Sequence, residues 1–169
     1  MVLGMSLATF TLVHVIISLI AIVAGLVVMF GMLGSHRMPG LTAVFLLFTI
    51  LTSATGFLFP FTELLPSHMI AILSLVLLAA ACIARYAMRL AGPWRSIYVV
   101  TAMISLYLNV FVLIIQGFLK VPALHALAPS VPPSEPPFAV VQGIVLLFFV
   151  VVIIGAWRRF RPTAAFGKA

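Results

Sequence analysis

The feature that most constrains this chain is a series of five apolar runs, none of which carries an acidic residue, lysine or arginine. The runs cover residues 1–33, 38–62, 64–84, 96–119 and 136–157. A helix of ~20 residues crosses the hydrocarbon of a bilayer, and each run is long enough. The 169-residue chain is 65% apolar and 7% charged, whereas a soluble domain is about half apolar and about a quarter charged. This composition excludes a soluble fold, a disordered chain and a disulfide scaffold.

Turn-forming residues separate the runs and predict an all-α integral membrane protein with five transmembrane helices. The predicted spans are about 9–33, 41–60, 67–90, 95–118 and 138–157, within a single domain over residues 1–169. We expect the first run to be retained as a helix. It has no basic n-region, and it exceeds the 7–15-residue core of a signal peptide. A cleaved leader would instead leave four spans.

The basic residues predict the orientation of the chain. Eight of the nine basic residues fall on one side if five spans begin outside, and only Lys120 falls on the other. Positive charge collects on the cytoplasmic side of membrane proteins. We therefore predict an N-terminus outside and a C-terminus in the cytoplasm. An aromatic belt at the cytoplasmic interface is expected from Tyr86, Trp94, Tyr98 and Trp157.

The connection between the fourth and fifth spans is rich in proline. Residues 120–137, here called the capping segment, contain six prolines, which exclude a regular helix or central strand apart from a short turn near 123–127. Polyproline-like chain is stiff and needs no internal hydrogen bonds. We expect this segment to lie across the outer face of the bundle, and a plain connector is the alternative.

Polar and small residues recur at a spacing of three or four in the first four spans. Because lipid-facing positions are apolar, these stripes are expected to face the interior of a bundle. The fifth span is apolar on every side from residue 144 to 154, which is typical of a helix that mostly faces lipid. The sequence therefore predicts a bundle of spans one to four with a peripheral fifth helix, held in place by Gln142.

Uncommon polar side chains converge on the outer half of this bundle. At ~1.5 Å per residue, His14 lies roughly 7 Å and Gln116 roughly 3 Å below the outer surface, with Asn109 deeper and His68 at the rim. These four residues are the candidate cofactor-binding residues. For His14, three roles remain open: a structural hydrogen bond to Asn109 or a hydroxyl, contact with a ligand, and proton transfer.

Haem b and quinone are the cofactors that this polar set suggests. Haem would need His14 and His68 to face each other, although their estimated depths differ by more than one helical turn. A metal site from His14, His68, His125 and Glu63 is a further alternative, without motif-level support, and we predict no metal. The sequence carries no phosphate loop, metalloprotease motif or Ser-His-acid set.

A distinctive pattern lies around the capping segment. It comprises residues 107–112, Gln116, residues 120–124, residues 127–129 and residues 134–138. This pattern resembles a family of small bacterial integral membrane proteins that has no known activity, and the resemblance is clearest over residues 94–142. What the resemblance implies is a bacterial inner membrane; it implies no catalytic residue.

Three functions are compatible with the sequence. The first is a non-catalytic accessory or structural subunit of a larger membrane complex, which would bind a membrane-protein partner or a second copy. The second is a bundle that binds haem, quinone or a lipid in the outer leaflet. The third is a small oligomeric transporter or channel, for which no acidic ring or inverted repeat is visible. Excess positive charge is explained by the lipid bilayer, so we expect no nucleic-acid partner.

The predicted orientation is tested by fusing a reporter to the C-terminus. We expect a fluorescent protein to fluoresce and alkaline phosphatase to stay inactive, because eight basic residues hold that side in the cytoplasm. Phosphatase fused in the capping segment is the matched control and should be active. An active phosphatase at the C-terminus would overturn the orientation.

Overall fold

Six α-helices make up the fold. The computed structural model describes residues 2–60 and 66–162, without the side chains of residues 66 and 67, and that part of the chain contains no β-strand. The helices are α1 (Leu7–Leu33), α2 (Pro39–Gly56), α3 (Pro66–Cys82), α4 (Trp94–Lys120), α5 (Pro122–His125) and α6 (Pro136–Arg159). A π-helical turn over Ile83–Ala87 continues α3. All but α5 are long and apolar enough to cross a membrane, which confirms the predicted five-span fold.

Local backbone chemistry explains where the helix ends differ from the predicted spans. The second span ends at Gly56 rather than near residue 60, because the N–H groups of Phe57 and Leu58 donate to carbonyls three residues back. The third ends earlier than residue 90, because Arg89 and Leu90 have positive φ angles of 50° and 61°. The fifth begins at Pro136, since proline suits the first turn of a helix.

Helices α1 to α4 form an antiparallel bundle in chain order. Each helix contacts the next, and α4 closes the ring by contacting α1. We call the end of the bundle that carries the capping segment the Pro-rich end, and the opposite end the arginine end. The closest approach is at Gly25 of α1, where an added Cβ would lie 2.8 Å from Phe45 and 2.5 Å from Leu106. At this level the bundle has no space between α1, α2 and α4.

The predicted interior stripes are largely confirmed. On α2, Thr42, Thr49 and Ser53 are buried. Most hydroxyls in the membrane helices donate to a carbonyl of their own helix four residues back: Thr11 to Leu7, Ser18 to His14, Thr49 to Phe45, Thr52 to Phe48, Thr55 to Leu51, Thr101 to Ile97 and Ser105 to Thr101. Such back-bonding satisfies the hydroxyl proton without a partner on another helix.

Helix α6 is peripheral, as predicted. It packs on α4 and α1 and has the smallest buried share of the five long helices. Near its N-terminus, Gln142 Nε2 donates to the carbonyl of Phe111 on α4 at 3.1 Å. Near its C-terminus, Gly155 lies against Leu33 of α1. Gln142 thus fixes α6 to α4, which is the role that the sequence suggested.

Hydrogen bonds from arginines order the arginine end. Arg95 Nη1 donates to the carbonyls of Trp157 and Phe160 at 2.8 and 2.7 Å, which completes the C-terminus of α6. Arg85 is buried, and its guanidinium carbon lies 5.2 Å from the centre of the Tyr98 ring. Tyr98 itself is fully buried. The Tyr98 ring therefore packs inside the bundle, on the arginine, as expected for a residue on the inward stripe of α4; the interfacial aromatic belt stays a prediction.

The capping segment is ordered and packs on α4. Its short helix α5 contacts α4, where Leu124 lies 3.7 Å from the position of a Cβ on Gly117. Beyond α5, the Glu135 carboxylate accepts hydrogen bonds from the N–H and hydroxyl of Ser130, each at 2.9 Å, and from the Ser134 N–H at 3.1 Å. The carboxylate therefore closes this loop directly before α6.

We expect the loop that Glu135 closes to loosen at low pH. Partial desolvation acts to raise the pKa of Glu135, but hydrogen bonds from Ser134, Glu135's own backbone and Ser130 outweigh it and lower the pKa. A carboxylate with a lowered pKa stabilises the folded loop at every pH above the ordinary pKa of a glutamate. This stabilisation is lost as the pH falls through the pKa of the folded state. The protection of the Ser130 and Ser134 amides against hydrogen exchange, measured relative to the intrinsic rate at each pH, should therefore fall in acid.

The variant Glu135→Gln should show fast exchange at neutral pH and little further acid response, because its amide presents one acceptor oxygen instead of two. Ser6→Ala, at the cap of α1, is the control that should leave this loop unchanged. Exchange rates equal in the wild type and Glu135→Gln would contradict this role of the carboxylate.

Candidate functional site

A cleft opens at the Pro-rich end of the bundle, among α1, α2, α3 and α4. It has two adjoining parts, an inner one of about 330 Å³ and an outer one of about 380 Å³. His14, Gln116 and Lys120 border both parts. Asn109 borders the inner part and His68 the outer part. The structure thus brings all four sequence-predicted site residues to one cleft.

The cleft exists because α1 and α3 stand apart. Among the described helices, α1 contacts α2, α4 and α6 but not α3. Helices α2 and α3 supply a wall with buried Ser53 and Ser74. On the α1 and α4 sides the lining residues Val15, Leu19 and Leu113 are exposed. The cleft therefore opens between α1 and α4 toward the lipid, and Ile22 lies at its inner end, one turn before Gly25.

His14 is anchored to α2. Its Nδ1 lies 2.8 Å from the hydroxyl oxygen of Thr55, and its ring meets the Phe59 ring edge-on at 5.1 Å. The predicted partner was Asn109 or a hydroxyl, and the structure selects the hydroxyl. The predicted position inside the bundle is borne out, although His14 is half-buried rather than fully enclosed.

The hydrogen bonds of Thr55 assign the proton on His14. A hydroxyl has a single proton, and Thr55 donates it to the Leu51 carbonyl at 2.6 Å. Because the Leu51 carbonyl is its nearest acceptor, we assign the Thr55 proton to that bond, so that the Thr55 oxygen accepts from His14 and Nδ1 of the imidazole carries the hydrogen. In a neutral ring, Nε2 is consequently an acceptor. No described residue forms a hydrogen bond with this Nε2.

Two polar groups on the inner part of the cleft have no partner. Ser74 is 2% exposed, and its hydroxyl oxygen is buried without a hydrogen bond, unlike the back-bonded hydroxyls of the other helices. The Nδ2 group of Asn109 is likewise buried and unpaired. An unpaired buried polar group costs about 1–3 kcal/mol. Both residues line the inner part of the cleft, while the two unpaired atoms themselves are closed to water in this structure.

The rim of the cleft carries a positive charge. Gln116 and Lys120 lie one helical turn apart on α4, and both are exposed. No acidic residue of the described chain borders either part of the cleft. Lys120 is thus free to attract an electron-rich headgroup, a role that its sequence position at a span end did not suggest.

His68 is buried on α3 and stacks on the Phe57 ring at 5.6 Å between centres. It shares the outer part of the cleft with His14 despite their different estimated depths. Among the described residues, no group of three His, Cys, Asp or Glu side chains is placed to hold a metal. The alternative metal set of His14, His68 and His125 is not gathered, and Glu63 lies outside the described residues.

Sequence reasoning missed the functional groups whose importance depends on detailed geometry. Thr55 lies next to the interior stripe of α2 rather than on it, and only the structure shows that it holds His14. Ser74 was on the predicted stripe of α3, but nothing in the sequence distinguishes it from the back-bonded hydroxyls.

The His14–Thr55 bond can be measured by a double-mutant cycle. We expect His14→Leu and Thr55→Val to show a coupling free energy of about 1 kcal/mol in reversible unfolding in micelles, because each removes the same interhelical bond. The matched cycle of His14→Leu with Thr52→Val should show no coupling, since Thr52 donates to its own helix. Equal coupling in both cycles would contradict the assignment.

In the same assay His14→Asn should be better tolerated than His14→Gln. An asparagine amide nitrogen stands as far from Cβ as the histidine Nδ1, so it can replace the donor to Thr55.

Comparison of the chain with protein-family models, with curated proteins and with solved structures finds no match. Its function must therefore be argued from the cleft itself. Three features define that site: a lateral opening between α1 and α4, a histidine with an oriented ring, and two unpaired buried polar groups.

Proposed function

We propose that this protein is a non-catalytic membrane protein that holds one amphipathic molecule in the cleft. The headgroup would sit between α1 and α4 and be bonded by Ser74 and Asn109. The observation that carries the proposal is the pair of unpaired buried groups on a cavity that opens toward lipid. A volume of about 330 Å³ falls at the lower end of small-molecule pockets, ~300–1,000 Å³.

The lining favours a quinone or lipid over haem b. Asn109, Gln116 and Lys120 offer N–H groups to oxygen atoms, and Val15, Leu19 and Leu113 offer an apolar path for a chain. Haem would have to be held by Nε2 of His14 and a nitrogen of His68, and it would leave Ser74 and Asn109 without the oxygen partners that a headgroup supplies.

We further propose that the protein resides in a bacterial inner membrane with its N-terminus outside. The support is the basic asymmetry of the sequence and the resemblance around the capping segment. The cleft would then lie in the outer leaflet, where lipid-soluble molecules reach it from the bilayer. This placement fits a binding site that opens sideways rather than into water.

A role as an accessory subunit is a second candidate, favoured by one feature of α6. Its exposed face carries large apolar side chains at alternating spacings of four and three residues: Val140, Ile144, Leu147, Val151 and Ile154. This spacing suits a seam with another helix. A channel is less well supported, because α1, α2 and α4 are in close contact at Gly25.

Native mass spectrometry of the protein released from membrane tests the binding proposal. We expect a co-purified small molecule on the wild type, and at least about tenfold lower occupancy in the double variant Ser74→Ala/Asn109→Leu, because about two hydrogen bonds are lost. Ser105→Ala is the matched control: Ser105 is equally buried but is bonded to Thr101, and it does not line the cleft.

Two results would contradict the proposal. One is a wild-type protein that carries no small molecule in native membranes or in nanodiscs of bacterial lipid extract. The other is equal occupancy in the wild type and the double variant, which would mean that the molecule binds elsewhere.

A further inference from the structure

We infer that the headgroup held in the cleft presents a hydroxyl group, whose proton is donated to Nε2 of His14. The cleft would therefore prefer a quinol or a lipid alcohol to the same skeleton without its hydroxyl. This inference rests on the proposed function, since it names the chemistry of the molecule that the cleft binds. It follows from the direction of each hydrogen bond on the cleft wall.

The hydrogen bonds of Thr55 determine which ring nitrogen of His14 is an acceptor. Thr55 donates its proton to the Leu51 carbonyl and accepts a hydrogen bond from Nδ1 of His14. Nε2 of His14 can therefore only accept a hydrogen bond from a further partner. A neutral ring is favoured, because Lys120 brings a positive charge to the same cleft and no described acidic residue lines it. Glu135, the one acidic residue in the described part of the chain, is bonded to Ser130 and Ser134.

Two hydroxyl groups that border the cleft, one on α1 and one on α2, have no free proton to donate to a ligand. Ser18 and Thr52 border the inner part, and each donates its proton to a carbonyl of its own helix at 2.7 and 2.8 Å. Both can only accept from a ligand. The wall made by α1 and α2 therefore offers three acceptors, Nε2 of His14 and the oxygens of Ser18 and Thr52, beside the hydroxyl of Ser53, which can donate or accept.

The opposite wall, made by α3 and α4, offers hydrogen-bond donors. Asn109 has an unpaired amide nitrogen, Ser74 an unpaired hydroxyl, and Lys120 an ammonium group. The amide nitrogen and the ammonium group only donate, whereas the Ser74 hydroxyl can donate or accept. A headgroup that fits between the two walls must donate on the α1 side and accept on the α4 side, which a hydroxyl-bearing headgroup does. A quinone carbonyl or an ester oxygen only accepts, so it would leave Nε2 of His14 unpaired.

Two matched pairs of probes test the preference. Decylubiquinol and decylubiquinone share one skeleton and differ in two hydroxyl hydrogens. Monodecanoylglycerol and methyl decanoate share one acyl chain and differ in the hydroxyl groups. Binding is measured by calorimetry on the full-length protein in nanodiscs, with oxygen excluded for the quinol.

We expect the wild type to bind the hydroxyl-bearing member of at least one pair about tenfold more tightly, as for one gained hydrogen bond and one avoided unpaired acceptor. Preference within the quinone pair alone would identify an aromatic quinol as the ligand class. Preference within the glyceride pair alone would identify a lipid alcohol. Either outcome supports the inference.

Two variants tie the preference to His14. His14→Asn keeps a donor for Thr55 but has no Nε2, so the tenfold preference should fall below about twofold. Thr55→Val removes the acceptor that fixes the proton on Nδ1 and should also reduce the preference, whereas Thr55→Ser should restore it. Thr55 is a positioning residue, and this rescue distinguishes its role from a general effect on folding.

Equal binding of both members of each pair by the wild type would overturn the inference and leave the proposed binding function intact. Tighter binding of the quinone or the ester would overturn it as well. If the wild type bound none of the four probes and carried no co-purified molecule, the proposed function itself would fail.

Discussion

The close packing at Gly25 is the contact on which the rest of the structure depends. A Cβ there would overlap the side chains of Phe45 on α2 and Leu106 on α4, so any larger residue would force these side chains to move. This contact closes the bundle in its arginine half. On the other side of it, toward the Pro-rich end, the helices leave the cleft open, with a lining that mixes polar and apolar side chains. The packing of the four helices therefore closes the bundle in its arginine half and leaves a cleft in its Pro-rich half.

The polar residues of the bundle divide into two kinds. Most hydroxyls donate to carbonyls of their own helices, so they add no unsatisfied group to an apolar interior. Ser74 and Asn109 differ, because each has a buried polar atom without a hydrogen-bond partner and both residues line the cleft. Unsatisfied groups are costly in a membrane. Others occur away from the cleft, on Arg85, Tyr98, His125 and Gln142, so the proposed binding function depends on the pair that lines the cavity.

The sequence predicted the five spans, the peripheral α6 and the residues that border the cleft. Hydropathy sets span number, and the preference of polar groups for the interior brings His14, His68, Asn109 and Gln116 together. The partner of His14 and the unpaired state of Ser74 could not be predicted, because they depend on rotamers and on which carbonyl each hydroxyl reaches. The packing of the Tyr98 ring on Arg85 could not be predicted for the same reason.

The most direct test of this account is an experimental structure of the protein in nanodiscs of bacterial lipid extract. The account predicts elongated density that enters between α1 and α4, with its polar end within hydrogen-bonding distance of Asn109 Nδ2 and the Ser74 hydroxyl. A cleft that is collapsed by contact of α1 with α3, or that holds only water on these two groups, would contradict the claim that the protein binds an amphipathic molecule there.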